Sequence, residues 1–112
     1  MLPVDYTLNM RVRKSGVYSK WIDSLKDKQA IYRINARISR LENGNPGDCY
    51  PIGEGLSEMR IHFGPGYRVY FKDTGREIII LLCGGDKSTQ ENDIVRAKHL
   101  ASLPLEELKL EG

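Results

Sequence analysis

Five side chains that can bind phosphate or move a proton recur at every second position of two short runs. Arg60 and His62 alternate with Met59, Ile61 and Phe63, and Arg68, Tyr70 and Lys72 alternate with Tyr67, Val69 and Phe71. Gly64-Pro65-Gly66 separates the runs, turn chemistry that supports a β-hairpin. Period-2 geometry then puts all five on one face. With the three turn residues as the loop, Phe63 faces Tyr67, His62 faces Arg68 and Arg60 faces Tyr70, each opposed pair roughly 5 Å apart. A charged neighbour such as Arg68 disfavours the imidazolium, so His62 is expected neutral and able to accept a proton. Such a set suits metal-free cleavage of RNA. One group takes the 2′-OH proton, fixed cations stabilise the phosphorane, and an acid protonates the departing 5′ oxygen. Arginine stays protonated and serves as a phosphate fork, and an aromatic ring can stack an unpaired base. The solvated side of a half-buried sheet carries the same alternation, so the pattern alone does not separate the two readings.

A second basic row, Arg33, Arg37 and Arg40, lies on a helical stretch. It reads either as a solvated face or as a contact with ribosomal RNA. Lys87 follows Gly84-Gly85-Asp86 but lacks the spacing of a phosphate-binding loop, which excludes that nucleotide motif. Asp86 and Glu91 are too few for a metal site, and no metal or cofactor is expected. His99 reads as a surface residue. Cys49 and Cys83 have no metal-ligand spacing and are not expected to form a disulfide.

Other elements must hold the hairpin. Tyr6 to Arg13 alternates weakly and reads as a strand. Ser15-Gly16 can open a helix carrying Tyr18, Trp21 or Ile22, and Leu25. Asp27 can cap a second helix, with Ile31, Ile34, Ile38 and Leu41 as its stripe and Asn43-Gly44 as its stop. Asn45 to Gly55 reads as a loop. Glu77 to Cys83, apolar on both faces, reads as a central covered strand, broken by Gly84-Gly85. Ser88 with Glu91 has capping-box spacing and opens a helix with Ile94, Ala97, and Leu100 or Ala101 buried, ended by Pro104. The order is β-α-α-β-β-β-α, an α+β fold with a twisted, mainly antiparallel four-stranded sheet, an N-terminal helical hairpin packed on it and a C-terminal helix. One domain is expected over 1–112, its core about 6–103 and its tail 104–112.

Composition sets the outer limits. The chain has 112 residues, 40% of them hydrophobic, enough for one core but not for a deep pocket as well. An open face or shallow groove is the expected site. The net charge of +2 announces no polyanion, but most basic residues lie between Arg11 and Lys87 while the tail is acidic. The longest apolar run, Ile78 to Cys83, is far short of the roughly 20 residues of a membrane span, so no membrane partner and a cytoplasmic location are expected.

The segments Ser57-Glu58-Met59-Arg60-Ile61, Gly64-Pro65-Gly66-Tyr67-Arg68-Val69-Tyr70-Phe71 and Leu81-Leu82-Cys83-Gly84-Gly85-Asp86-Lys87-Ser88-Thr89-Gln90 resemble the phage-derived "addiction module killer protein" branch, HigB-like, of the RelE/ParE toxins. Trp21-Ile22-Asp23-Ser24-Leu25-Lys26-Asp27 and Gly44-Asn45-Pro46-Gly47-Asp48 extend the resemblance, which runs from about Arg11 to Ala101. It implies a RelE-like fold and a toxin of a type II toxin–antitoxin pair, a metal-independent endoribonuclease that cuts messenger RNA on the ribosome. It implies a helix-turn-helix, HigA-like antitoxin as partner, with operator DNA reached only through the complex. Arg68 matches a functional arginine of that group, Arg60 a second, and Lys87 a further basic position. Gln90 to Val95 holds no counterpart of the catalytic tyrosine of RelE, which leaves His62 and Tyr70 as substitutes. Lys72, Arg33, Arg37 and Arg40 are the expected RNA contacts. The ParE side of the superfamily implies an alternative, a non-enzymatic inhibitor that binds DNA gyrase.

Overall fold

The computed structural model describes residues 10–112. In chain order they form β1 (Arg11–Lys14), α1 (Gly16–Ser24), α2 (Lys28–Glu42), β2 (Cys49–Gly53), β3 (Leu56–Ile61), β4 (Tyr67–Asp73), β5 (Ile78–Asp86) and α3 (Gln90–Ala101). Short 3₁₀ turns occupy Lys87–Thr89 and Leu105–Leu108. The helix starts follow their capping side chains. Ser15 accepts from the Tyr18 amide and donates 2.6 Å to the Leu82 carbonyl, tying the entry of α1 to the sheet. Asp27 accepts from the amides of Gln29 and Ala30 and fixes the start of α2.

The sheet is mixed and five-stranded, in the order β1-β5-β4-β3-β2. β1 runs parallel to β5 and the other pairs are antiparallel. Met59, Ile61, Val69, Phe71, Ile79 and Leu81 pack with Tyr18 and the α2 stripe of Ile34, Ile38 and Leu41. Leu56, Tyr70, Ile80, Leu82 and Cys83 pack on the other side with Ala97, Leu100 and Leu108. Each fully buried aliphatic side chain contributes roughly 1.5–3 kcal/mol, so both faces are committed to packing.

Several expectations need correction. The four-stranded sheet gains β2, which falls inside the stretch read as a loop. Its prolines and glycines mask the strand, and Gly53 and Gly55 serve the turn into β3 with positive φ. The strand read from Tyr6 to Arg13 lies partly outside the described residues; its remainder corresponds to β1, which continues to Lys14. Gly84-Gly85 does not break β5, which continues to Asp86. A Cβ on Gly84 would lie 2.3 Å from the Trp21 ring and one on Gly85 1.9 Å from the Asp93 carboxylate. Both glycines therefore mark close packing on a continuous strand. The capping box preceding α3 uses Asp86 and Thr89, not Ser88 and Glu91. The tail is not outside the core: Leu108 is buried, and Glu111 exchanges backbone hydrogen bonds with Lys14.

The hairpin register differs by two residues. Ile61 pairs with Tyr67, Arg60 with Arg68, Glu58 with Tyr70 and Leu56 with Lys72. Phe63 turns back, its amide bonding the Ile61 carbonyl, and Gly64 and Gly66 adopt positive φ around Pro65. The loop is therefore His62 to Gly66. A shift of two keeps every strand residue on its expected face while changing its partner.

Candidate functional site

The residues expected on one open face divide into separate groups. Arg60, Arg68 and Tyr70 share the α3 side of the sheet, and that side is covered: Tyr70 is wholly buried and Arg68 is 8% exposed. Their common partner is Glu58. The Arg60 Nε donates 2.8 Å to Oε1, while the Tyr70 hydroxyl donates 3.1 Å and the Gln90 amide 2.8 Å to Oε2. A nitrogen of Arg68 lies 3.3 Å from Oε2. Burial pushes the Glu58 carboxyl up, but the bonds from Arg60, Gln90 and Tyr70 and the charge of Arg68 outweigh it and hold the carboxyl below its usual range. Tyr70 is pushed far up, by burial first and then by the Glu58 charge. It is a buried donor and no candidate for the proton acceptor.

Arg60 leaves this cluster at its outer edge, its guanidinium 4.1 Å over the Tyr50 ring. Lys87 is exposed after β5, its Cβ 3.4 Å from the Cβ position of Gly66 in the hairpin loop. Lys72 lies apart from these groups, in a cleft with Ala101, Leu103, Pro104 and Leu105 at the other end of β4.

His62 sits in the loop, not opposite Arg68, so the expected pressure from that arginine is absent. Its Nε2 bonds the Asp48 carboxylate while its side chain stays 73% exposed. The Asp48 carboxyl is held below its usual range by hydrogen bonding to Tyr50 and then to His62. A ring nitrogen fixed this way leaves Nδ1 to exchange a proton with a ligand.

His62 also lines a groove of about 710 Å³ between α2 and the hairpin loop. Lys28, Gln29, Tyr32, Arg33, Ala36, Arg37 and Arg40 form its helical wall, and Ile61, His62 and Phe63 the other. Gln29, Arg33, Ala36 and Arg40 follow the spacing of one helix face. Among the described residues no carboxylate lines this groove. Arg33 lies 4.4 Å over the Phe63 ring, a cation–π contact. Arg37 differs from Lys28, Arg33 and Arg40 beside it, which make no salt bridge among the described residues. Its guanidinium donates to the carbonyls of Arg60, Pro46 and Asp48 and clamps the loop bearing Asp48 against β3.

The structure thus joins His62 to the α2 arginines, which sequence reasoning kept apart, and separates it from Arg68 and Tyr70. Glu58, Asp48, Tyr50, Gln90, Lys28 and Tyr32 were not singled out. Glu58 carries a signal, since it sits two positions before Arg60 on the same face. Asp48 carries none, being fourteen positions from His62 in a loop whose path the sequence does not specify. Cys83 is buried against α3, and burial pushes its thiol up to about 12, which makes it packing and not a nucleophile.

No family model matches the chain. It is 46% identical over 94 residues to an uncharacterized protein of Haemophilus influenzae, a match that spans 84% of this chain and 95% of the relative. At that identity and coverage the chain belongs to the same family as the Haemophilus influenzae protein.

Proposed function

We propose that this chain is the toxin of a type II toxin–antitoxin pair, a RelE-like endoribonuclease that cuts messenger RNA in the ribosome and is restrained by a small helix-turn-helix antitoxin. The observation that carries the reading is the His62–Asp48 pair at the edge of a groove walled by Lys28, Arg33, Arg37 and Arg40. His62 takes the 2′-OH proton as the 2′ oxygen attacks phosphorus and the bond to the 5′ oxygen breaks, leaving a 2′,3′-cyclic phosphate and a 5′-hydroxyl whose proton comes from solvent. The anionic Asp48 orients the ring and stabilises the imidazolium that forms. Arg33, Arg40 and Lys28 hold phosphates. Arg60, braced by Glu58 and Tyr50, and Lys87 on the far side of the loop supply further positive charge. Arg68 and Tyr70 act through Glu58 by keeping Arg60 in place.

The groove is open, with no lid among the described residues, so these supply charge and proton transfer but little means of bending RNA into the in-line geometry that 2′-OH attack requires. A ribosome holding messenger RNA provides that geometry. After brief induction, new RNA ends mapped across a transcript should lie inside translated frames, with a codon-phase bias, and vanish when the start codon is removed. Cleavage that persists on the untranslated transcript would contradict ribosome dependence. Intact transcripts with altered DNA supercoiling would favour the gyrase-binding alternative.

A further inference from the structure

We infer that the groove between α2 and the hairpin loop takes an unpaired RNA segment and that Tyr32 stacks one of its bases, so that Tyr32 selects single-stranded over double-stranded RNA. The inference rests on the reading of this groove as the RNA site and names the form of RNA it accepts. Tyr32 is 74% exposed on the groove wall, more than the other large exposed hydrophobics Tyr50, Val95 and Leu105. An aromatic face left in water is unfavourable until something flat and apolar covers it. Its neighbours specify what that is. Arg33 lies 4.4 Å over the Phe63 ring beside it, and Lys28 and Arg40 lie twelve positions apart on α2, bracketing about 18 Å of helix. Cations over that length, with no carboxylate among the described lining residues, fit a chain of phosphates. A planar aromatic set between them fits a base whose face is free, which a duplex does not offer. An acidic peptide would satisfy the cations but would leave the Tyr32 face uncovered.

The test is fluorescence anisotropy with a labelled 2′-O-methyl RNA of about 12 nucleotides and mixed sequence, single-stranded or annealed to its complement. This probe cannot be cut, so binding is read independently of cleavage. Wild-type protein should bind the single strand more tightly than the duplex. Tyr32→Ala should weaken single-strand binding about tenfold and leave duplex binding unchanged, while Tyr32→Phe should stay within about twofold of wild type. Lys28→Ala and Arg40→Ala should each lower the salt slope by about 0.7. The inference is overturned by unchanged single-strand affinity in Tyr32→Ala, by equal losses on duplex and single strand, by displacement of the RNA by polyglutamate at equal charge, or by no binding at low salt. Binding as described in a protein that cuts no RNA would instead contradict the proposed activity and leave this inference standing.

Discussion

Arg60 and Arg68 are direct cross-strand partners, two guanidinium groups opposed across β3 and β4. Like charges directly opposed weaken a sheet. Glu58, one rung further on the same face, offsets this by offering one carboxylate oxygen to each. Gln90 from α3 and Tyr70 from β4 complete the coordination, so the carboxylate ties three elements together.

Glu58→Gln should therefore destabilise the protein at neutral pH by about 3 kcal/mol, the scale of breaking a buried charged pair. The folded-state pKa of Glu58 is depressed, so its contribution is present above the unfolded carboxylate value near 4.3. It is lost as pH falls through the folded value. Urea denaturation should give a wild-type advantage that is flat above about pH 5 and narrows below it. An advantage that grows on acidification would contradict this assignment.

Gly84 lies under the Trp21 ring. Gly84→Ala should cost about 1–3 kcal/mol through overpacking, and the cost should shrink when Trp21→Leu makes room. Thermal denaturation of the two single variants and the double variant measures the coupling; simple additivity would place the strain elsewhere.

Arg37 reaches three carbonyls with one planar fork, a geometry that lysine cannot reproduce. Arg37→Lys should loosen the loop from Asn43 to Asp48. Exchange of the Arg60 amide, which bonds the Asp48 carbonyl at 3.0 Å, should accelerate while amides of β5 keep their protection. Unchanged exchange at Arg60 would show that the clamp is dispensable.

Apolar periodicity and turn chemistry made much of this fold legible. The α2 stripe, the entry caps at Ser15 and Asp27, and the alternation of β3 and β4 all lie in local sequence. The site was less legible because its geometry is set by long-range choices. His62 belongs with α2 once the hairpin loop has five residues instead of three, with Phe63 turned back and packed beneath Arg33. The α3 side of the sheet looked open because Arg60, Arg68 and Tyr70 are polar. It is covered because Glu58 pairs with both arginines and accepts from Tyr70, which lets a helix close over charge even though one Arg68 guanidinium nitrogen has no hydrogen-bond partner among the described residues. Gly84-Gly85 looked like a strand end because the close approach of Trp21 and Asp93 is not a local property.

The proposed activity turns on His62, oriented by Asp48, as the group that moves the proton in RNA cleavage. Its most direct test is the mapping of 5′-hydroxyl RNA ends in cells after matched brief induction of wild type and His62→Gln. The side chain is largely exposed, so the variant should fold as wild type does. Wild type should generate 5′-hydroxyl ends within translated frames, and His62→Gln should lower their yield by a factor of roughly 10² to 10⁴. Equal yields from folded wild type and folded His62→Gln would contradict the account.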